Sequence, residues 1–107
     1  MPDDLDAVFK ALADATRRRI LDRLREEGGQ TLVRLCAGTG MSRQAVAKHL
    51  AVLQGAGLVT VVPQGREHRH YLNPVPINEI QERWIVHYER DRLEALALLK
   101  KALEDKP

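Results

Sequence analysis

The sequence predicts a mainly α-helical domain with one small β-hairpin, and three observations carry that prediction. Apolar residues recur at helical spacing along most of the chain, and clusters of glycine and proline cut this pattern into segments. One stretch, Leu58-Val59-Thr60-Val61-Val62, is β-branched and apolar instead, with turn residues directly after it. A length of 107 residues, 44% hydrophobic and 30% charged, suits a single folded domain over 1–107 and not a disordered tail.

Each element has its own warrant. Leu5, Val8, Phe9 and Leu12 are spaced by three and four, with Asp3 or Asp4 where an N-cap belongs, which predicts a short helix over about 4–12. Asp14 caps a second helix whose stripe is Ile20, Leu21 and Leu24, and Gly28-Gly29 stops it. Thr31 caps a third, short helix carrying Leu32, Leu35 and Cys36, which cannot continue through Gly38-Thr39-Gly40. Ser42 is the next N-cap. Behind it, residues 43–53 are good helix formers with Val46, Leu50 and Leu53 on one face and Arg43, Gln44, Ala47, Lys48 and Ala51 on the other. Gly55 and Gly57 close this helix. The β-branched run then turns at Pro63-Gln64-Gly65-Arg66 and returns as an alternating strand from Glu67 to Leu72. Asn73-Pro74-Val75-Pro76 breaks the strand, and Pro76 suits the first position of a helix, where its missing N–H would be unpaired anyway. The last helix runs to about residue 104 on a stripe of Ile77, Ile80, Trp84 and Tyr88, continued by Leu93, Leu96, Leu99 and Leu103. Glu79 near its start and Lys100, Lys101 and Lys106 near its end suit the helix dipole.

A helix, a glycine-containing turn, a helix and a two-stranded hairpin make a winged helix-turn-helix, here in the order α1-α2-α3-α4-β1-β2-α5. Its core is expected over 4–74, with a long C-terminal dimerisation helix over 76–104. The charge follows this plan. Residues 1–40 carry seven basic and seven acidic side chains and residues 75–107 six and seven, whereas residues 41–74 carry four basic (Arg43, Lys48, Arg66, Arg69) against one acidic, Glu67. The whole surplus of +2 therefore arises in the middle third, which by itself is +3.

That placement points to double-stranded DNA. The helix after Ser42 fits a major groove with Arg43, Gln44 and Lys48 outward: arginine pairs bidentately with guanine, glutamine with adenine, and Ala45 or Ala47 can touch a thymine methyl. Lys48 and Ser42, with the helix N-terminal amides, suit phosphates. Arg66 at the hairpin tip, with His68 or Arg69 behind it, reaches the neighbouring minor groove or backbone. A last helix over 77–104 would be about 42 Å long, against about 33 Å for a domain of this size, so its leucines would overhang into water. A second chain is the expected cover, giving a homodimer through Leu5, Phe9, Ile80, Trp84, Tyr88, Leu96 and Leu99. The alternative is a kink near Arg90 to Arg92 that folds the tail back as two helices.

Other classes fit poorly. No apolar run approaches the roughly 18 residues of a membrane span, and the acidic start Met1-Pro2-Asp3-Asp4 is unlike a signal peptide, so a soluble, cytoplasmic protein is expected. Cys36 is the only cysteine and Ser42 the only serine, and no Gly-x-Ser-x-Gly or phosphate loop is present, which leaves a hydrolase little to work with. No enzymatic activity and no cofactor are expected. A winged-helix module that binds protein or RNA is the second reading.

Several blocks in register resemble the ArsR family of bacterial and archaeal transcriptional repressors. They are residues 8–21 (VFKALADATRRRIL), 41–50 (MSRQAVAKHL), Leu53, Ala56-Gly57-Leu58-Val59, Gly65-Arg66 and Tyr71-Leu72-Asn73-Pro74. The resemblance covers roughly residues 5–90. It implies a dimeric winged-helix protein that binds an operator near its own promoter and is released by an inducer; two recognition helices about one helical turn apart predict that the operator is an imperfect palindrome. The family's recognition helix carries over onto Ser42, Arg43, Gln44, Ala45, Lys48 and His49, and its wing onto Gly65 and Arg66. The family's metal sensors bear a Cys-x-Cys pair where this chain has Thr31 and Val33. The other common ligand set lacks its counterpart, since His87 is followed three residues later by Arg90. No metal site of the family type is expected, and the chain looks more like the branch without metal ligands, whose inducer is not fixed.

Blander readings apply to other residues. Arg17-Arg18-Arg19 is read as paired, solvated charge because Asp22 lies four past Arg18 and Arg19 is followed by Arg23 and Glu26. His68 and His70 share a strand face at ligand spacing, but two ligands do not make a site, and His70 is read as packing beside Leu72. Cys36 is read as a small buried hydrophobe and Trp84 as dimer core.

Overall fold

The computed structural model describes residues 4–105. Asp3 and Lys106, offered above as a cap and a dipole partner, lie outside them. The helices are α1 (Asp4–Leu12), α2 (Ala15–Glu26), α3 (Leu32–Cys36) and α4 (Arg43–Gly55); strands β1 (Val59–Gln64) and β2 (Glu67–Leu72) follow, then α5 (Val75–Ile80), a π-helical stretch Gln81–Ile85 and α6 (Arg90–Glu104). Three predicted caps close as chemistry requires. The side chains of Asp14, Thr31 and Ser42 accept from the main-chain N–H of Arg17, Arg34 and Ala45 respectively, each satisfying an amide that the helix leaves open. Between α3 and α4 the chain turns through Gly38 and Gly40, both at positive φ. Thr39 braces that turn, its hydroxyl donating to the Cys36 carbonyl at 2.7 Å and accepting from the Met41 amide at 3.1 Å.

The chain forms two compact units, Met1–Ile77 and Asn78–Pro107. In the first, one apolar core gathers Leu5, Val8 and Ala11 of α1, Ile20, Leu21 and Leu24 of α2, Leu35 of α3, Val46, Leu50 and Leu53 of α4, and Leu58 and Val59 at the hairpin base. Burying each large aliphatic side chain contributes about 1.5–3 kcal/mol. The antiparallel hairpin pairs Val59 with Leu72 through Gln64 with Glu67. Its loop is Gly65-Arg66, and positive φ occurs only at Gly65 (63°), the pattern of a type II′ turn. Gln30 adds a bridge to His70: the His70 amide donates to the Gln30 carbonyl at 2.9 Å and the Gly29 amide to the His70 carbonyl at 2.8 Å. At the hairpin exit the Asn73 amide donates to Leu58 and its side chain to Gly57, both at 2.8 Å, which ties the end of β2 to the end of α4.

Arg17, Arg18 and Arg23 of α2 spend their guanidinium groups on main-chain carbonyls, whereas Arg19 is exposed as expected of solvated charge. Arg18 donates to the Leu12 carbonyl at 2.6 Å. Arg23 reaches the carbonyls of Leu35, Arg34 and Ala37 at 2.6, 2.7 and 3.2 Å, and so caps the C-terminal end of α3. These carbonyls lie at the helix end, where that of Arg34 also accepts from the Ala37 amide, and a guanidinium has donors enough for all three.

In the second unit the predicted continuous helix is divided. After α5 the π-helical stretch ends at Ile85, and Glu89 takes an extended conformation (φ −69°, ψ 146°) before α6 begins. Residues 84–88, Trp-Ile-Val-His-Tyr, all come from the middle of the helix-propensity scale, whereas α6 is built, apart from Asp91 in its first turn, of Leu, Ala, Arg, Glu and Lys. The break falls just before the position of the alternative kink, and without a 42 Å rod the overhang argument for a dimer loses its premise. What remains is exposure. Trp84, Tyr88, Leu96 and Leu99 are all close to half exposed (46–56%), and Ile80 is half-buried.

Candidate nucleic-acid interface

Helix α4 divides its residues as its period requires. Val46, Leu50 and Leu53 are buried, while Arg43, Gln44, Ala47, Lys48 and Ala51 are exposed on the other side. The side chains of Arg43, Gln44 and Lys48 make no hydrogen bond or ion pair among the described residues, so their donors are unspent. Ala45 is half-buried. Ser42 is exposed, and its oxygen accepts from Ala45, so what it retains for a phosphate is its own O–H. Beside this face the wing completes an open groove of about 590 Å³, lined among others by Ala47, Ala51 and Gln54 of α4 and Val61, Arg66 and His68 of the hairpin. The groove therefore joins the exposed helix face to the wing tip.

Two residues expected at this surface sit elsewhere. Arg69 is half-buried, donating to the Gly29 carbonyl at 3.0 Å and forming a 2.7 Å ion pair with Glu67. It braces the wing against the loop before α3 through Nη1 and Nη2, while its buried Nε has no partner among the described residues. The pair also neutralises Glu67, leaving Arg66 as the uncompensated charge of the hairpin loop. His49 is on the inner flank of α4, where Arg17 Nη1 lies 3.4 Å and Asp14 Oδ2 3.9 Å from its Nδ1. Five positions beyond Gln44, it is carried by the helix turn away from the outward face. The sequence reading missed Arg17, whose signal was its place just beyond the C-terminal end of α1, where the last carbonyls have no partner within the helix. Its Nε and Nη2 donate to Ala11 and Lys10 at 2.8 and 2.9 Å.

Asp14 is held below the ordinary carboxylate range. The main-chain amide of Arg17 is the chief cause, with the charge of the Arg17 guanidinium adding to it against partial desolvation. Gln30 and His70, both buried, were also not anticipated together. Gln30 donates to the Arg23 and Glu27 carbonyls at 2.9 and 2.8 Å, finishing α2. His70 Nδ1 is 2.8 Å from the Gln30 carbonyl; since a carbonyl only accepts, the ring hydrogen sits on Nδ1. His68 is exposed, so the two histidines have different surroundings. Among the described residues no three of the His, Cys, Asp and Glu side chains gather as a metal would need. Cys36 is half-buried. Leu5, expected at a dimer surface, is 6% exposed and belongs to the core, whereas Phe9 on the same helix is 43% exposed. No helix among the described residues is long and apolar enough to cross a membrane.

Comparison with known proteins agrees with this architecture. A helix-turn-helix domain family matches residues 12–62. An uncharacterized HTH-type transcriptional regulator of Bacillus subtilis, YuzN, is 44% identical over 79% of the chain and 99% of its own length. The arsenical resistance operon repressor of Escherichia coli is 32% identical over 83% of the chain and 78% of its own. Among solved structures, an ArsR-like transcriptional regulator from Rhodococcus sp. RHA1 superposes with a TM-score of 0.71 at 35% identity, covering 97% of this chain and 94% of that one.

Proposed function

Because this chain belongs to the ArsR family of winged helix-turn-helix transcriptional regulators, and is thus a DNA-binding regulator and not an enzyme, we propose that it acts as a homodimeric repressor of its own operon. In this reading two copies of α4 enter successive major grooves about one helical turn apart and read an imperfect palindrome, with Arg66 of each wing on the flanking backbone or minor groove. An inducer, whose chemical class is open, releases the protein in the cytoplasm.

The observation that carries the reading is the exposed, unspent set Arg43, Gln44 and Lys48 on a helix whose opposite side is locked into the core. Arg43 and Gln44 suit base edges, while Lys48 and the Ser42 hydroxyl suit phosphates. The exposed apolar residues Phe9 on α1 and Trp84, Tyr88, Leu96 and Leu99 in the C-terminal unit support a second copy as partner, because covering such side chains removes apolar surface from water. The repressor sense rests on the name of the Escherichia coli relative.

The test is binding to duplex DNA from upstream of the protein's own gene. Affinity is expected to be saturable, stronger for that fragment than for unrelated DNA, and to fall steeply with added salt. Binding that ignores salt, or no preference for the fragment, overturns the proposal.

A further inference from the structure

We propose that Arg17 is a positioning residue for DNA reading, a clamp that holds the recognition helix in register by gripping His49 in its neutral, hydrogen-bond-accepting form. The inference rests on the reading that α4 enters the groove.

Arg17 is fixed at one end. Its Nε and Nη2 donate to the carbonyls of Ala11 and Lys10 in the last turn of α1. The remaining nitrogen, Nη1, faces Nδ1 of His49 at 3.4 Å. A guanidinium can only donate, so Nδ1 must offer a lone pair and the ring hydrogen sits on Nε2. One side chain thus links the end of α1, the first turn of α2 and the inner flank of α4. The same Nδ1 lies 3.9 Å from Asp14 Oδ2, an oxygen that already accepts from the Arg17 amide at 2.9 Å. Asp14 and Arg17 are the charged groups facing this nitrogen among the described residues; α1 contributes main-chain carbonyls, and Lys48 on α4 is exposed.

Protonation exchanges the partners. An imidazolium cannot accept from Arg17, is repelled by its charge, and has in Asp14 an anion ready for the new N–H. The ring would then turn from α2's guanidinium toward the cap, and α4 would lose this polar link to the end of α1 while keeping its apolar packing. Arg43, Gln44 and Lys48 ride on the same helix, and bidentate base contacts tolerate displacements of only about 0.5 Å. Base discrimination therefore weakens as His49 takes up a proton, although the added positive charge favours DNA in general.

The experiment uses the full chain and the ratio of its affinities for the upstream fragment and for an unrelated duplex, measured from pH 8 to 5.5 at fixed salt. General charge effects act on both duplexes, so the ratio isolates geometry. In the wild type the ratio is expected to fall several-fold toward pH 5.5. His49→Asn places an amide oxygen near the position of Nδ1, can accept from Arg17 and cannot titrate, so its ratio is expected to stay high and flat. A His49→Asn ratio that falls as the wild type does overturns the clamp and assigns the pH effect to another histidine. Nitrogen-15 spectra of the free protein at pH 8 check the clamp without DNA: the Nε2–H tautomer of His49 supports it and the Nδ1–H tautomer overturns it. Failure of the wild type to prefer the upstream fragment at any pH counts against the groove reading instead, while the tautomer still decides the clamp.

Discussion

Arg43 and Lys48 stand on the same exposed face, yet they should fail differently when removed. A guanidinium on guanine supplies base discrimination, so Arg43→Ala is expected to relax the preference at one base pair by about 1–3 kcal/mol. An ammonium on a phosphate supplies only attraction, so Lys48→Ala should weaken all sequences alike and reduce the salt slope by about one. Fluorescence anisotropy on single-base variants of the site separates the two outcomes. Asp14 makes a prediction about acid. Its carboxyl is more acidic in the folded chain than in the unfolded one, so its contribution is complete above the ordinary carboxylate range and is lost as pH falls through it. Denaturant unfolding should therefore show the wild type more stable than Asp14→Asn at pH 7, with the gap closing below about pH 4. That Asp14 and Ser42 cap helices was legible in the sequence, because a cap acts on amides two or three residues away. That Arg69 and His49 turn inward was not, because their partners, Gly29 and Arg17, lie 40 and 32 residues distant.

At the scale of elements, the wing and the broken last helix are the two places where local chemistry decides form. Gly65 sits at positive φ with open space around it, so a larger side chain there meets only backbone strain. Gly65→Val is expected to cost about 1–2 kcal/mol and to loosen the loop that carries Arg66. Reduced affinity for the upstream fragment with a slightly lower melting temperature would be the signature; unchanged values would show that the tip does not matter. In the C-terminal unit, the break before α6 is attributed to the run Trp84 to Tyr88. Val86→Ala with His87→Ala replaces two middling helix formers by the best one, at about 0.5 kcal/mol each. Far-ultraviolet circular dichroism should then gain the signal of a few helical residues, and no gain would mean that something other than propensity holds Glu89 extended. The apolar periodicity across 77–103 is consistent with one helix or two, since a stripe records which residues avoid water and not whether the backbone between them is continuous.

For the whole molecule, charge and association are the properties to measure. A segment of +3 between near-neutral ends becomes about +6 in a pair of chains, a modest field toward a duplex. It suits a regulator that must leave its site, and a salt slope equivalent to ten or more released counterions would contradict it. Sedimentation at micromolar concentration is expected to show a dimer. Leu99→Glu, which puts a charge among exposed leucines of α6, is expected to shift it to monomer with the helical signal retained. A wild-type monomer would refute the pairing proposed above.

By itself the sequence determined the order of elements through the hairpin, the caps of α2, α3 and α4, the buried face of α4 and the helix-turn-helix character, because each depends on spacings of two to four residues within one segment. Tertiary structure alone decided how the charges are spent. Arg17 and Arg23 close the ends of helices other than their own, Arg69 braces the wing, and His49 turns to Arg17, while Arg43, Gln44 and Lys48 keep their donors. A long cationic side chain bonds to whatever carbonyl the fold brings within its reach, and that is a property of packed neighbours and not of the residues beside it in the chain.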